Sequence, residues 1–256
     1  MPRLRHALDV NASLLASTLA GWRGTAAFQP AKRQPEQPLE LYEFEASPFC
    51  GLVREALTEM DLDAVVRPCP NGGKRFRPEA ERLGGKQQFP FLVDPNSGKR
   101  LYESADIVEY IAQTYGARAR GARGVARSLR LTGSRLARGV RFTRGLRARA
   151  SRAPAQPLEL YSFESSPFSR LVREVLCELE LPYLMRSTGK ALWQDMGPPW
   201  VHARLFKSTP IEGRNRKRLH ELTGRVQVPY LIDPNTGAAM FESADIVAYL
   251  EDTYAV

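Results

Sequence analysis

Pro38-Leu-Glu-Leu-Tyr-Glu-Phe-Glu-Ala-Ser-Pro-Phe49 occurs a second time, with two changes, as Pro157-Leu-Glu-Leu-Tyr-Ser-Phe-Glu-Ser-Ser-Pro-Phe168. A second pair of matching stretches follows, Glu103-Ser-Ala-Asp-Ile-Val108 and Glu242-Ser-Ala-Asp-Ile-Val247. The two landmarks lie further apart in the second copy, which indicates an insertion of about twenty residues there. Because each copy has the length of a small domain, the sequence predicts two tandem domains of one fold.

Three segments lie outside the predicted repeat, and they divide the chain. The predicted organisation is an N-terminal basic, amphipathic extension at 1–37, a first domain at 38–116, an arginine-rich connector at 117–152 and a second domain at 153–256, with its insertion near 187–209. The connector contains twelve arginines and neither lysine nor an acidic residue, whereas the chain as a whole has a formal net charge of +9. The basic character therefore comes from the connector, since both domains are slightly acidic.

Within each copy the hydrophobic periodicity changes in a fixed order. Residues 39–44 alternate as a strand, Pro48 opens a helix with one apolar face, and residues 64–66 form a second strand. A polar segment with some helical character follows, and then two strands joined by the turn Asp94-Pro-Asn-Ser-Gly98, and a last helix that begins near Ser104. The prediction is an α/β fold, βαβ-α-ββα, with a four-stranded mixed sheet in each domain.

This order resembles the thioredoxin fold, in the form found in glutaredoxins and in the N-terminal domain of glutathione transferases. Ser-Pro-Phe-Cys at 47–50 and Ser-Pro-Phe-Ser at 166–169 stand where that family has its redox motif. Phe89-Pro90 and Val228-Pro229 stand at the family's cis-proline step. More narrowly, two such domains in tandem resemble the tandem thioredoxin-like proteins of plant and algal plastids. That resemblance implies a chloroplast or plastid location, the other prediction being a soluble intracellular protein.

The resemblance also identifies the candidate catalytic residues, which are Ser47, Cys50 and Ser166. The first residue of the motif is normally a cysteine whose thiolate is stabilised by the helix start, and here it is serine in both copies. A hydroxyl cannot form or open a disulfide, so a dithiol cycle is not expected. Some glutathione transferase classes use a serine at this place to activate glutathione, and the alternative here is a helix cap. A glutathione-dependent transferase or deglutathionylating oxidoreductase therefore remains the alternative function.

Glutathione is the one ligand that the resemblance implies, and no cofactor is expected to be required. In the family, a Glu/Gln-Ser pair holds the γ-glutamyl end of glutathione, and the main chain before the cis proline pairs with its cysteinyl backbone. The corresponding positions in this chain are Phe89, Pro90, Glu103 and Ser104 in the first copy and Val228, Pro229, Glu242 and Ser243 in the second. An ordinary strand end followed by a capping serine would produce the same Glu-Ser pair.

The segments outside the repeat indicate a binding partner. Arg135, Arg138, Arg141 and Arg144 are spaced three apart in the connector, so that they form a candidate contact for an anionic surface. Trp193 and Trp200 lie in the insertion, which carries too much apolar surface to leave in water. It either packs on its own domain or contacts another protein. A solvated linker is the other interpretation of the connector.

These observations together predict a catalytically reduced protein that is a binding or structural component of a larger assembly in a plastid. The expected partner is a protein complex, and a membrane surface is a further candidate for its location. A module that reads nucleic-acid sequence is disfavoured, because the connector has few aromatic residues. No apolar run reaches the roughly 18 to 20 residues of a membrane span. The three cysteines form neither a disulfide framework nor a zinc site, and no metal is expected.

Overall fold

The fold was analysed in a computed structural model that describes residues 2–116, 124–141, 143–197 and 210–256. Among the described residues, each copy of the repeat contributes four strands and three helices in the predicted order. In the first repeat these are β1 (Leu39–Glu43), α2 (Pro48–Glu59), β2 (Ala64–Pro68), α3 (Arg77–Gly84), β3 (Phe91–Asp94), β4 (Lys99–Tyr102) and α4 (Ser104–Tyr115), preceded by α1 (Pro2–Leu19).

The second repeat has the same elements after its own preceding helix. They are α5 (Gly124–Val140), β5 (Leu158–Ser162), α6 (Pro167–Glu178), β6 (Tyr183–Ser187), α7 (Arg214–Thr223), β7 (Tyr230–Asp233), β8 (Ala238–Phe241) and α8 (Ser243–Tyr254). The insertion lies between β6 and α7, and its described part holds a short 3₁₀ helix at Trp193–Asp195. No described helix is long and apolar enough to cross a bilayer.

The two four-stranded sheets join into one mixed sheet with the order β4-β3-β1-β2-β6-β5-β7-β8. Within each repeat the first two strands are parallel and the hairpin is antiparallel, as the thioredoxin-like prediction requires. The junction is the antiparallel pair of β2 and β6, in which Val65 lies opposite Leu184. These two residues are equivalent positions of the repeat, so an approximate two-fold axis passes between them. The edge strands that each repeat would otherwise expose are thereby paired with each other.

The hydrophobic core is continuous across this junction. One cluster of buried side chains includes Leu41 and Val66 from the first repeat together with Leu160 and Met185 from the second. Burial of apolar surface on this scale contributes roughly 25 cal/mol per Å² removed from water. The two repeats therefore share one hydrophobic core.

The N-terminal extension and the connector are themselves copies of one unit, which corrects the prediction that they lie outside the repeat. The helix α1 packs against α6 of the second repeat, and the equivalent helix α5 packs against α2 of the first repeat. Ser13 of α1 donates a hydrogen bond to the Pro167 carbonyl oxygen at 2.8 Å, and Ser134 of α5 donates one to the Pro48 carbonyl oxygen at 3.0 Å. The described part of the connector is consequently a structural element and not a solvated linker.

The backbone after each helix repeats the same exchange. The Ala27 N–H donates to the Lys190 carbonyl oxygen at 2.9 Å, and the equivalent Ala148 N–H donates to the Asn71 carbonyl oxygen at 2.9 Å. Each of these extended segments therefore hydrogen-bonds to the residues that follow the second strand of the opposite repeat. It then leads into the first strand of its own repeat. The two copies are interlocked, because each one holds the other through a helix and an extended segment.

Candidate functional site

The two serines at the helix starts act as N-caps. Ser47 accepts a hydrogen bond from the Cys50 N–H at 3.3 Å, and Ser166 accepts one from the Ser169 N–H at 3.2 Å. Both cap residues are extended, and a proline follows each as the first helical residue. This arrangement satisfies N–H groups that a helix start would leave unpaired.

Neighbouring helices cover both serines. Ser47 is 3% exposed and Ser166 is 2% exposed. Beside Ser47, α5 contributes the Ser134 bond to Pro48 and places the Arg135 guanidinium 5.9 Å from the centre of the Phe49 ring. The hydroxyls that could activate a thiol are therefore buried beneath packed helices.

The surviving thiol of the motif is also buried. Cys50 is fully enclosed, and burial, assisted by the nearby Glu43 carboxylate, raises its thiol pKa to about 12. Burial likewise raises the pKa of Cys69 and Cys177 well above the ordinary thiol value. Since the thiolate is the nucleophile, these residues have the character of inert core cysteines.

The peptide bonds before Pro90 and Pro229 are cis, as the resemblance implied. In the first repeat the Phe89 ring packs edge-on against Phe44 with 6.4 Å between centroids, and the Arg77 guanidinium lies 4.9 Å from the Phe89 centroid. The second repeat has Val228 in place of this aromatic residue. The two cis-proline loops are thus similar in backbone and different in the surface that they present.

Glu103 and Glu242 have positive φ angles of 63° and 66°, which are uncommon for residues other than glycine. Each carboxylate accepts a hydrogen bond from a glutamine beside the cis-proline loop, Gln88 in the first repeat and Gln227 in the second. The unusual backbone turns each glutamate toward its cis-proline loop. The structure therefore brings together, in each repeat, the loop and the Glu-Ser pair that were predicted as a glutathione site.

The two Glu-Ser pairs differ in what their serines contact. Ser104 is buried, and its hydroxyl has no hydrogen-bond partner among the described residues. The equivalent Ser243 hydroxyl lies 3.3 Å from His6 Nε2, which α1 supplies. A buried hydroxyl without a partner costs about 1 to 3 kcal/mol, so the Ser104 site is the one that gains most from an added acceptor or donor.

A cluster of buried arginine and glutamate side chains at the junction of the repeats was not predicted from the sequence. Arg54 Nε contacts Glu164 Oε2 at 2.9 Å, and the equivalent Arg173 Nε contacts Glu45 Oε2 at 3.2 Å. Each arginine also contacts the glutamate of its own repeat, and Arg54 additionally pairs with Glu43. The sequence feature that could have revealed this cluster is an arginine on the buried side of an otherwise apolar helix, at the same place in both copies.

The predicted partner-binding arginines have different surroundings. Arg141 is buried, with a bidentate pair to Glu174 at 2.8 and 2.6 Å, so it stabilises the chain from within and is not a surface contact. Arg144 pairs with Asp9 at 3.3 Å, whereas Arg135 is exposed. The side chain of Arg138 lies outside the described residues.

The two predicted tryptophans are also divided. Trp193 is 76% exposed, and its ring lies 6.4 Å from that of Phe28 in the segment after α1. The insertion therefore contacts the N-terminal segment and still presents an aromatic ring to solvent. Trp200 lies outside the described residues.

The sheet order, the cis prolines and the covered helix starts define a thioredoxin-like protein with two interlocked repeats. A family model, described as the N-terminal domain of glutathione S-transferase, matches residues 41–119 and 160–256. Because these stretches make up more than half of the chain, the protein belongs to the glutathione S-transferase N-terminal domain family. This membership indicates a glutathione-related or a structural role.

Comparison with individual proteins adds little to the family match. A glutathione transferase of Bombyx mori, a solved structure, is similar with 28% sequence identity and a TM-score of 0.28. The similarity covers 32% of this chain and 38% of the silkworm chain, so this chain spans well under half of that relative. No curated protein matches the chain.

Proposed function

We propose that this protein is a non-catalytic binding component of a larger assembly, built on two glutathione transferase N-terminal domains. One observation carries the proposal: the hydroxyls of Ser47 and Ser166 cap their own helices beneath α5 and α1. A nucleophile or a thiol-activating group must reach the substrate atom to act on it. Neither serine is placed for that, and the Cys50 thiol is enclosed as well.

The proposal also includes a retained ligand site in the first repeat, which would take glutathione or another γ-glutamyl compound. The support is the unpartnered hydroxyl of Ser104 at the start of α4, next to Glu103 and the cis bond before Pro90. A helix start favours a carboxylate, and the Glu103 carboxylate favours an amine. The α-amino acid end of a γ-glutamyl group carries both charges.

A surface role is supported by the side chains that remain exposed after the internal pairs are formed. Trp193 and Arg135 are the two predicted partner contacts that the surface retains among the described residues. Aromatic residues and arginine are the commonest anchors at protein interfaces. We therefore retain these two as the proposed partner contacts, while the plastid location implied by the resemblance stays a prediction.

Calorimetric titration with reduced glutathione tests the ligand site. Ser104→Ala should bind glutathione about tenfold more weakly than the wild-type chain does, since the substitution removes one hydrogen bond to a charged group. Ser134→Ala is the matched control, because that serine lies on α5 and donates to a backbone carbonyl oxygen outside the Glu-Ser site. Equal affinity in wild type and Ser104→Ala would place the ligand elsewhere.

A mixed-disulfide reduction assay and a transferase assay with an aryl halide test the absence of catalysis. We expect rates equal to those of glutathione alone. Turnover that disappears in the Ser47→Ala and Ser166→Ala double variant, or in Cys50→Ser, would establish the enzyme alternative and end this proposal.

A further inference from the structure

Asn71 and Gly72 form the one Asn-Gly pair of the chain, and they lie in an exposed turn between β2 and α3. The Gly73 N–H donates a hydrogen bond to the Pro70 carbonyl oxygen at 2.9 Å, which closes the turn. Gly72 has a φ of 80°, as the third residue of a type II turn requires. A Cβ built on Gly72 would meet no atom within 4 Å. The main-chain nitrogen that follows the Asn71 side chain is therefore unhindered.

The same nitrogen is not held by the fold. Among the described residues, the Gly72 N–H donates no hydrogen bond. The absence of a side chain on glycine leaves the nitrogen open to a neighbouring electrophile. The Cγ atom of Asn71 is such an electrophile, and the nitrogen of the next residue can join it in a five-membered ring.

Arg77, the first residue of α3, holds the oxygen of the Asn71 side-chain amide. Arg77 Nη2 donates to Asn71 Oδ1 at 2.9 Å, and Arg77 Nε donates to the Pro70 carbonyl oxygen at 2.6 Å. The guanidinium also lies 4.9 Å from the centre of the Phe89 ring. These contacts fix a cation beside Oδ1 before any reaction begins. Donors that are fixed in this way stabilise the negative charge of a tetrahedral intermediate.

We propose that Asn71 and Gly72 form a self-modifying site, at which the main chain reacts with the Asn71 side chain. Hydroxide removes the Gly72 amide proton, the nitrogen attacks Asn71 Cγ, and a C–N bond forms while negative charge moves to Oδ1 beside Arg77. The Cγ–Nδ2 bond then breaks, and Nδ2 leaves as ammonia after taking a proton from water. Water opens the resulting succinimide to aspartate or isoaspartate. The net reaction consumes one water and releases one ammonia, with no oxidation or reduction.

The reaction would change one of the two extended contacts between the copies. The Asn71 N–H donates to the Leu146 carbonyl oxygen at 2.7 Å, and the Asn71 carbonyl oxygen accepts from the Ala148 N–H at 2.9 Å. Isoaspartate adds one atom to the main chain between these two bonds. The second copy has Lys190-Ala191 at the equivalent place, so the change is confined to the first copy. The inference goes beyond the proposed function, and it holds whether or not the repeats bind a ligand.

Peptide mapping by mass spectrometry tests the site in the full chain, kept folded in mildly alkaline buffer. We expect the mass increase of amide hydrolysis at Asn71 and none at Asn96. Asn96 is the matched control, because it is also exposed but is followed by Ser97, whose side chain crowds the attacking nitrogen. Arg77→Leu should slow the reaction at Asn71 at least about tenfold, since it removes the donor to Oδ1. In urea, where this contact is absent, wild type and Arg77→Leu should react at equal rates.

Three outcomes would overturn the inference. The first is an Asn71 that stays unmodified or reacts no faster than Asn96. The second is a folded Arg77→Leu chain that reacts as fast as wild type or faster, which would mean that Arg77 only holds the turn in place. The third is the same difference in rate between the two chains in urea, which would exclude a contact of the folded state as its source.

Discussion

Arg54 contacts Glu164 across the junction of the two repeats, with 2.9 Å between Arg54 Nε and Glu164 Oε2 and with both side chains buried. The reciprocal pair, Arg173 and Glu45, lies on the other side of the approximate two-fold axis. A buried charge is costly unless it is paired and hydrogen-bonded. Each repeat therefore supplies counter-charges for the buried ionised side chains of the other repeat. The ion cluster thus favours one particular arrangement of the two repeats.

Removal of one member of this cluster should be strongly destabilising. We expect Arg54→Leu to lower the free energy of unfolding by about 3 to 5 kcal/mol, because it leaves buried carboxylates without their cation. Urea denaturation followed by circular dichroism measures the change. Arg67→Leu is the matched control, since its pair with Glu40 is partly exposed and should contribute about 0 to 1 kcal/mol. A loss for Arg54→Leu no greater than that for Arg67→Leu would contradict the proposed role of the cluster.

The capping serines should contribute stability and no activity. Ser47→Ala and Ser166→Ala should each lower the free energy of unfolding by about 1 kcal/mol, through the loss of one cap hydrogen bond. Thermal unfolding measures these effects. A stability unchanged in both alanine variants would mean that the caps do not operate.

The native thiols should react slowly with alkylating agents. At pH 8 a thiol whose pKa is about 12 has a thiolate fraction about a thousandfold or more below that of a free cysteine. We expect iodoacetamide to modify Cys50 at least about a thousandfold more slowly in the native chain than in urea. Mass spectrometry of the labelled peptides gives both rates. Rapid native labelling of Cys50 would show an accessible thiol and would favour the oxidoreductase alternative.

The two ligand sites should be unequal because His6 contacts Ser243 and no described residue contacts the Ser104 hydroxyl. We expect glutathione to bind wild type at one site per chain and His6→Ala at two, as measured by calorimetric stoichiometry. The Ser104→Ala variant identifies which site is filled first. Two equal sites in wild type would mean that α1 does not obstruct the second repeat.

Asp94 makes stability depend on pH. Burial by itself would raise the pKa of Asp94, but hydrogen bonds donated by Tyr115 at 2.6 Å and Tyr110 at 2.7 Å outweigh it and lower the pKa. The carboxylate therefore adds stability above the pKa of about 3.9 for unfolded aspartate, and this stability is lost as the pH falls through the lower native pKa.

Tyr115→Phe should accordingly destabilise the chain by about 1 to 3 kcal/mol at pH 7, and by less at pH 3. Denaturant titrations at the two pH values measure both losses. Tyr254→Phe, which removes the equivalent bond to Asp233, is a second test of the same effect in the other repeat. Equal losses at pH 3 and pH 7 would rule out the Asp94 carboxylate as the source.

Much of this protein could be predicted from local sequence. Strands alternate with period two, helices with period three to four, and prolines and glycines stop both, so the order of elements in each repeat follows from short stretches. The cis prolines and the role of the Glu-Ser pairs were implied instead by the resemblance to glutathione transferase N-terminal domains, in which each stands at a fixed place in the order of motifs. The serines at positions 47 and 166 likewise predict that neither repeat carries out a dithiol cycle.

The relation between the copies is decided only by tertiary structure. Nothing local in the sequence states that β2 pairs with β6, that α1 packs on α6, or that Arg54 meets Glu164, since these contacts join residues far apart along the chain. For the same reason the connector resembled a charged linker, although its Arg141 is buried against Glu174. The charge of a side chain is local, but its partner and its exposure depend on what the folded chain places beside it.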